Sequence, residues 1–130
     1  MKSNKGQSLV EFAVSMVFVL ILLSGAVETG IALFQYIQLY DAAQEGALFG
    51  SICQDEAKIE QRVRSSSSSP LDLNDESVII DVSPGENDGI AVTLSYKHRV
   101  FMPFASVFAG EYINLKASVV DTILVRGNCG

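Results

Sequence analysis

Apolar positions divide this chain into a strongly apolar N-terminal half and a more polar C-terminal half. No charged residue occurs from Phe12 to Val27, and after Glu28 apolar residues resume through Leu39. About 20 helical residues cross the hydrocarbon core of a bilayer. The pattern therefore predicts one long helix over residues 7–64, with a transmembrane span at about 12–34. Glu60 and Arg64 have the i,i+4 spacing that supports the solvated end of such a helix.

Beyond the helix the pattern changes to the period of β-strands. A Ser-rich linker is predicted at 65–76, where Pro70 follows five serines. Strands are predicted at Ser77–Ser83, Ile90–Tyr96 and Tyr112–Val125. The first two strands are separated by a turn over Pro84–Gly89, and an apolar connector precedes the third. The predicted fold class is α+β: a long N-terminal helix, then a small three-stranded antiparallel β-meander over 77–130, packed on the outer half of the helix.

Charges that flank the apolar stretch predict its orientation. Lys2 and Lys5 precede it, whereas the residues that follow it are mainly acidic. By the positive-inside tendency, residues 1–6 form a cytoplasmic leader and the β domain is extracytoplasmic. The net charge of -6 argues against a nucleic-acid partner, because an acidic surface repels phosphate.

Candidate chemistry in the sequence is sparse. Cys53 and Cys129 lack zinc-site spacing, so two readings stay open, a disulfide and two unpaired thiols. His98, the single histidine, is predicted to be a solvated strand residue. Glu86 and Asp88 are too few for the usual calcium coordination of six to eight oxygens. We therefore expect no catalytic residue, no metal, no cofactor and no small-molecule substrate.

The N-terminal residues resemble a known family. Gly6, followed by Gln7-Ser8-Leu9-Val10-Glu11-Phe12, resembles the prepilin-peptidase motif of type IV pilins in the form used by tight-adherence (Tad/Flp) pili. Val27–Gly30 and Asp41–Ala47 resemble recurring segments of TadE-like pseudopilins, and the strands from Ile90 onward resemble that family's C-terminal half.

The resemblance implies a structural role rather than an enzymatic one. It implies cleavage after Gly6, which would leave Gln7 as the new N-terminus, and retention of the helix in the bacterial inner membrane. The role would lie in assembly, initiation or anchoring of a Tad pilus, in which the protein could itself be incorporated. The implied partners are a prepilin peptidase, other pseudopilins, the major pilin, the inner-membrane pilus platform and membrane lipid.

Glu11, which precedes Phe12, is the sharpest candidate for an assembly contact. An unpaired carboxylate at the edge of hydrocarbon costs a few kcal/mol. After cleavage, Glu11 would be the fifth residue and would reach the α-amino group of Gln7 in a neighbouring subunit; the alternative is solvation among headgroups. For Glu28 two readings stay open, pairing inside a helix bundle and marking the outer membrane boundary.

Small residues at a spacing of four are candidates for helix packing between subunits. The two pairs are Ala26 with Gly30 and Gly46 with Gly50.

Two other classes of protein compete with a pseudopilin. Ser24-Gly25-Ala26 is similar to a signal-peptide cut site, which would make the protein secreted with cleavage near Ala26. An uncleaved single-span envelope protein could instead carry an external binding module, with Phe101–Phe108 as its contact surface.

Overall fold

A computed structural model describes residues 5–67, 71–126 and 129 of the chain. These described residues form three helices and three strands. The helices and strands are, in order, α1 (Lys5–Gly50), α2 (Glu56–Ser65), β1 (Val78–Pro84), β2 (Gly89–Arg99), α3 (Pro103–Ala109) and β3 (Tyr112–Thr122). The strands form one antiparallel sheet in the order β1-β2-β3. The predicted α+β class, a long apolar helix followed by a three-stranded sheet, is confirmed.

The prediction of one helix over 7–64 is wrong in one respect, because the helix is interrupted after Gly50. The Asp55 carboxylate accepts hydrogen bonds from the backbone N–H groups of Ala57 at 3.1 Å and Lys58 at 3.4 Å, so it caps a new helix. The Ser51 carbonyl, released at the interruption, accepts a hydrogen bond from the N–H of Leu124 at 2.8 Å. The interruption therefore provides an attachment point for the chain beyond β3.

The chain forms two compact units, and α1 contributes to both. The first contains the chain through Ile31 together with Arg99–Ile113. The second contains Ala32–His98 and the chain from Asn114 onward.

The second unit contains the hydrophobic core. The C-terminal part of α1 presents a stripe of small residues, which allows the sheet and α2 to pack closely against the helix. The core residues are Leu39, Ala42, Ala43 and Ala47 of α1, Ile59 and Val63 of α2, Leu71, Leu73, and Val78, Ile90, Val92, Leu94 and Ala117 of the sheet.

Within the predicted linker over 65–76, the described residues contribute to this core. Leu71 and Leu73 are buried, and the Arg64 guanidinium donates to the Leu73 carbonyl at 2.6 Å. Arg64 also pairs with Glu60 at 2.7 Å, as predicted from their spacing. The last two serines of the run, at positions 68 and 69, and Pro70 lie outside the described residues. The segment from Leu71 is thus a packed loop rather than a flexible connector.

His98 is fully buried, which corrects its prediction as a solvated residue. Side chains on alternate positions of a strand point to one face. His98 therefore shares the face of β2 that carries the buried residues Val92 and Leu94. The turn predicted before β2 is present, with positive φ at Asn87 (55°) and Asp88 (58°).

Candidate functional site

The N-terminal part of α1 carries an apolar surface that the chain leaves uncovered. Its most apolar 18-residue window has a mean hydropathy of 2.4, and none of that window is buried. Residues 6–20 are all exposed, including Phe12 and Phe18. A helix that is apolar around its circumference requires a nonpolar environment. The helix is compatible with a single-pass membrane protein.

The predicted processing and assembly residues lie on this helix. A Cβ added at Gly6 would meet no atom within 4 Å, so the described chain does not need a glycine there for packing. Gln7, Glu11 and Phe12 are exposed. Residues 1–4 of the predicted leader lie outside the described residues. Among the exposed residues 6–20, Glu11 thus carries the one charged side chain.

Glu28 occupies a different environment from Glu11 and is only 2% exposed. Its carboxylate accepts hydrogen bonds from the backbone N–H of Phe101 at 3.3 Å and of Met102 at 3.1 Å. Hydrogen bonds to a charged acceptor are stronger than those between neutral groups. Both sequence-based readings of Glu28 lacked this intramolecular role, which ties α1 to the segment that precedes α3.

The predicted apolar connector over Phe101–Gly110 contains the helix α3. Pro103 stands in its first turn, where a missing N–H has no cost. Ala105 is buried, whereas the bulky apolar residues around it are exposed. We name these residues the apolar stripe: Phe101, Phe104, Val107 and Phe108.

The two pairs of small residues have different surroundings. A Cβ at Gly46 would lie 2.5 Å from Cγ2 of Val63, and one at Gly50 would lie 2.9 Å from Cδ1 of Ile90. This second pair therefore packs against the chain's own α2 and sheet, which corrects its assignment to contacts between subunits. Ala26 and Gly30 are exposed, and a Cβ at Gly30 would meet no atom within 4 Å.

The structure joins Cys53 to Cys129 in a disulfide, with their Cα atoms 5.1 Å apart. The Lys58 ammonium donates to the Cys129 carbonyl at 2.8 Å, and the Gln54 amide donates to the Val125 carbonyl at 2.9 Å. The chain beyond β3 is thus fastened to the α1–α2 junction covalently and by hydrogen bonds.

Within residues 5–67, 71–126 and 129, no group of three or more His, Cys, Asp or Glu side chains is arranged to hold a metal ion.

The hydrogen bonds between Glu28 and the residues at the start of α3 were not predicted from the sequence. Pro103 was the available signal for a helix at that position, since proline favours the first turn.

Comparison with known proteins supports the reading of the N-terminal segment. The model of the family described as TadE-like protein matches residues 6–48, which is about a third of the chain and lies within α1. No curated protein and no solved structure matches the chain. The matched family is pilus-associated and structural. The resemblance to TadE-like proteins is therefore confirmed over residues 6–48, and the chain is consistent with a TadE-like protein of the Tad pilus system.

Proposed function

We propose that this protein is a pseudopilin or minor pilin that acts structurally in assembly, initiation or anchoring of a Tad pilus. The family match over residues 6–48 carries the proposal, because it includes the N-terminal part of α1 that the chain leaves exposed. The proposed partners are a prepilin peptidase, other pseudopilins, the major pilin and the inner-membrane platform.

In this proposal α1 spans the inner membrane with its N-terminus in the cytoplasm. From Leu9 to Glu28 a helix rises about 28 Å at 1.5 Å per residue, close to the hydrocarbon thickness of about 30 Å. Glu28 is buried against the segment before α3, so it suits the outer end of a span better than its interior. We therefore place the span at about residues 9–27, somewhat earlier than 12–34.

Prepilin peptidase would cleave after Gly6 on the cytoplasmic side. Since a Cβ at Gly6 has open space, a Gly6→Ala substitution would not disturb the described fold. A processing defect in this variant would therefore reflect recognition by the peptidase. Gly25→Ala is the matched control, because a Cβ at Gly25 also meets no atom within 4 Å.

Mass spectrometry of the mature N-terminus, in cells that express the cognate peptidase, tests this step. We expect the wild type and Gly25→Ala to begin at Gln7, and Gly6→Ala to retain the leader. Normal processing of Gly6→Ala would refute cleavage directed by Gly6. A mature terminus at Val27 would favour the secreted alternative, and an uncut wild type would favour the uncleaved envelope protein.

Glu11 is the proposed assembly contact. Its carboxylate is exposed on a surface that would face lipid or neighbouring helices, where an uncompensated charge is unfavourable. The α-amino group of Gln7 from a neighbouring subunit would neutralise this charge and fix the register between the two helices. Ala26 and Gly30, which remain uncovered, would allow close approach of a neighbouring helix.

A further inference from the structure

We propose that α3 inserts its apolar stripe into the extracytoplasmic leaflet of the membrane beside α1, so that lipid acyl chains are its partner. The inference rests on the proposed membrane span. It assigns a second membrane-embedded element to a chain whose sequence indicates only one.

The apolar stripe has the form of a docking surface. Val107 and Phe108 follow Phe104 by three and four residues, so these three lie on one side of α3, and Phe101 lies just before the helix. Their exposures are 69%, 47%, 78% and 82%, whereas Ala105 is buried. A contiguous group of large exposed apolar side chains marks an interaction site.

The chemistry of the segment suits hydrocarbon. Val100–Gly110 contains no charged residue, and its one side-chain hydroxyl, on Ser106, donates to the Pro103 carbonyl at 2.9 Å. Unsatisfied backbone groups cost several kcal/mol in lipid. The donors that precede the helix have internal acceptors: Glu28 for Phe101 and Met102, and the Glu111 carbonyl for Val100.

The depth of α3 follows from the face of α1 that is covered within the first unit. Ile21 and Ser24 are partly buried and precede the buried Glu28 by seven and four residues, which places all three on one face of α1. This face extends about 10 Å from Glu28 toward the N-terminus, along the last two turns of the proposed span. Because Arg99–Ile113 is the rest of this unit, we infer that it covers that face.

Interfacial residues stand at both ends of the segment. Arg99 precedes it and Tyr112 follows it, and both are exposed. Tyrosine is enriched at membrane interfaces, and arginine can keep its charge among headgroups while its stem lies along apolar surface. The stripe thus belongs to the same compact unit as the uncovered surface of α1, and its segment is flanked as a shallow membrane element should be. A nonpolar environment that covers the surface of α1 would also cover the stripe, which favours lipid over a protein partner.

The protein contains no tryptophan, so one introduced tryptophan reports its own surroundings. We would reconstitute the full chain, as Phe108→Trp, into phosphatidylcholine vesicles with and without brominated acyl chains. Phe18→Trp on α1 is the reference for the span, and Ile79→Trp on β1 is the reference for water. All three positions are exposed, so the substitutions leave the core intact.

We expect brominated lipid to quench Phe108→Trp to an extent comparable with Phe18→Trp. We also expect acrylamide to quench it several-fold less than Ile79→Trp. Acrylamide quenching of Phe108→Trp as strong as that of Ile79→Trp would overturn the inference. In that case, quenching of Phe18→Trp by brominated lipid would still support the proposed membrane span of α1.

Protection of Phe108→Trp from both quenchers would indicate a second copy on the stripe and would also overturn the inference. If brominated lipid failed to quench Phe18→Trp, both the span and the insertion of α3 would be refuted. The vesicles contain no peptidase and no other pilus component. A failure of the processing or assembly proposals would therefore appear in their own experiments and not in this one.

Discussion

The Glu28 carboxylate and the backbone N–H of Met102, 74 residues apart in sequence, form a hydrogen bond of 3.1 Å. The same carboxylate accepts from the N–H of Phe101. A carboxylate at the end of the uncharged stretch of α1 thereby fixes the beginning of α3. An acidic residue at this position, which the sequence suggests as a membrane boundary or a bundle contact, also has a function inside the folded chain.

Removal of the Glu28 carboxylate should loosen α3. Glu28→Ala leaves two backbone donors without this acceptor, which costs about 1–3 kcal/mol each when such donors stay buried. We expect faster hydrogen exchange at the Phe101 and Met102 amides in detergent micelles. Glu11→Ala is the control, since exposed Glu11 should leave both amides unchanged. Unchanged exchange in Glu28→Ala would show that the contact does not hold α3.

In contrast to Glu28→Ala, Glu11→Gln should impair assembly of the pilus and leave the folding of the isolated protein unchanged. Glutamine keeps the shape of the side chain but cannot neutralise an α-amino group. We expect normal processing and unchanged unfolding of the isolated protein, with loss of recovery in pilus fractions. Full incorporation of Glu11→Gln into those fractions would remove Glu11 as an assembly contact.

Gly46→Ala should destabilise the second unit. The added methyl group would lie 2.5 Å from Cγ2 of Val63 and 3.2 Å from Cγ1 of Val92, and overpacking of this kind costs about 1–3 kcal/mol. Gly30→Ala adds the same group to open space and should be neutral or stabilising, because alanine has the higher helix propensity. Urea unfolding in micelles measures both variants, and equal stability would contradict the observed packing.

Loss of the disulfide should destabilise the second unit without affecting the N-terminal part of α1. The bond closes a loop with a sequence separation of 76 residues. The chain-entropy model then gives about 4 kcal/mol of stabilisation. We expect Cys53→Ser with Cys129→Ser to lower the unfolding midpoint and to expose the chain beyond β3 to protease. In the wild-type protein, reductant should lower the unfolding midpoint in the same way. An unfolding midpoint that is the same with and without reductant would contradict this expectation.

Two acidic residues of the loop before β1 should titrate below the ordinary aspartate value of 3.8. The backbone N–H of Asn74, at 2.9 Å, lowers the pKa of Asp72. The N–H of Ser77, at 2.8 Å, lowers the pKa of Asp75. Both side chains therefore contribute stability above pH 3.8 that is lost as pH falls through their lowered pKa values. Carboxyl NMR titration should give midpoints below 3.8 for both, and midpoints at or above 3.8 would contradict these hydrogen bonds.

The parts of the fold that were predictable are those where one physical pattern extends over many residues. The uncharged stretch after Glu11 predicts a helix, and alternation along Ile90–Tyr96 predicts a strand. The same alternation, continued by two residues, would have placed His98 on the buried face. The alternation thus indicated burial of His98, but its charged neighbours Lys97 and Arg99 favoured the prediction that His98 is solvent-exposed.

Short helices and contacts between residues far apart in the chain were harder to predict from the sequence. At the interruption after Gly50, Asp55 caps α2 and the N–H of Leu124 donates to the Ser51 carbonyl. Of these two contacts, only the cap can be recognised from the neighbouring sequence. The helix α3 has 7 residues, too few to establish a helical period. The hydrogen bonds to Glu28 join residues more than 70 positions apart, and such pairing has no sequence signature in a single chain.

The bond between Cys53 and Cys129 also has a consequence for the timing of maturation. It encloses all three strands, so it cannot close before the whole sheet has been synthesised. Disulfides are rare in a reducing cytoplasm. With the proposed topology, closure would therefore await passage of the entire meander through the membrane. The oxidised fraction of the protein would then measure how many molecules have completed export.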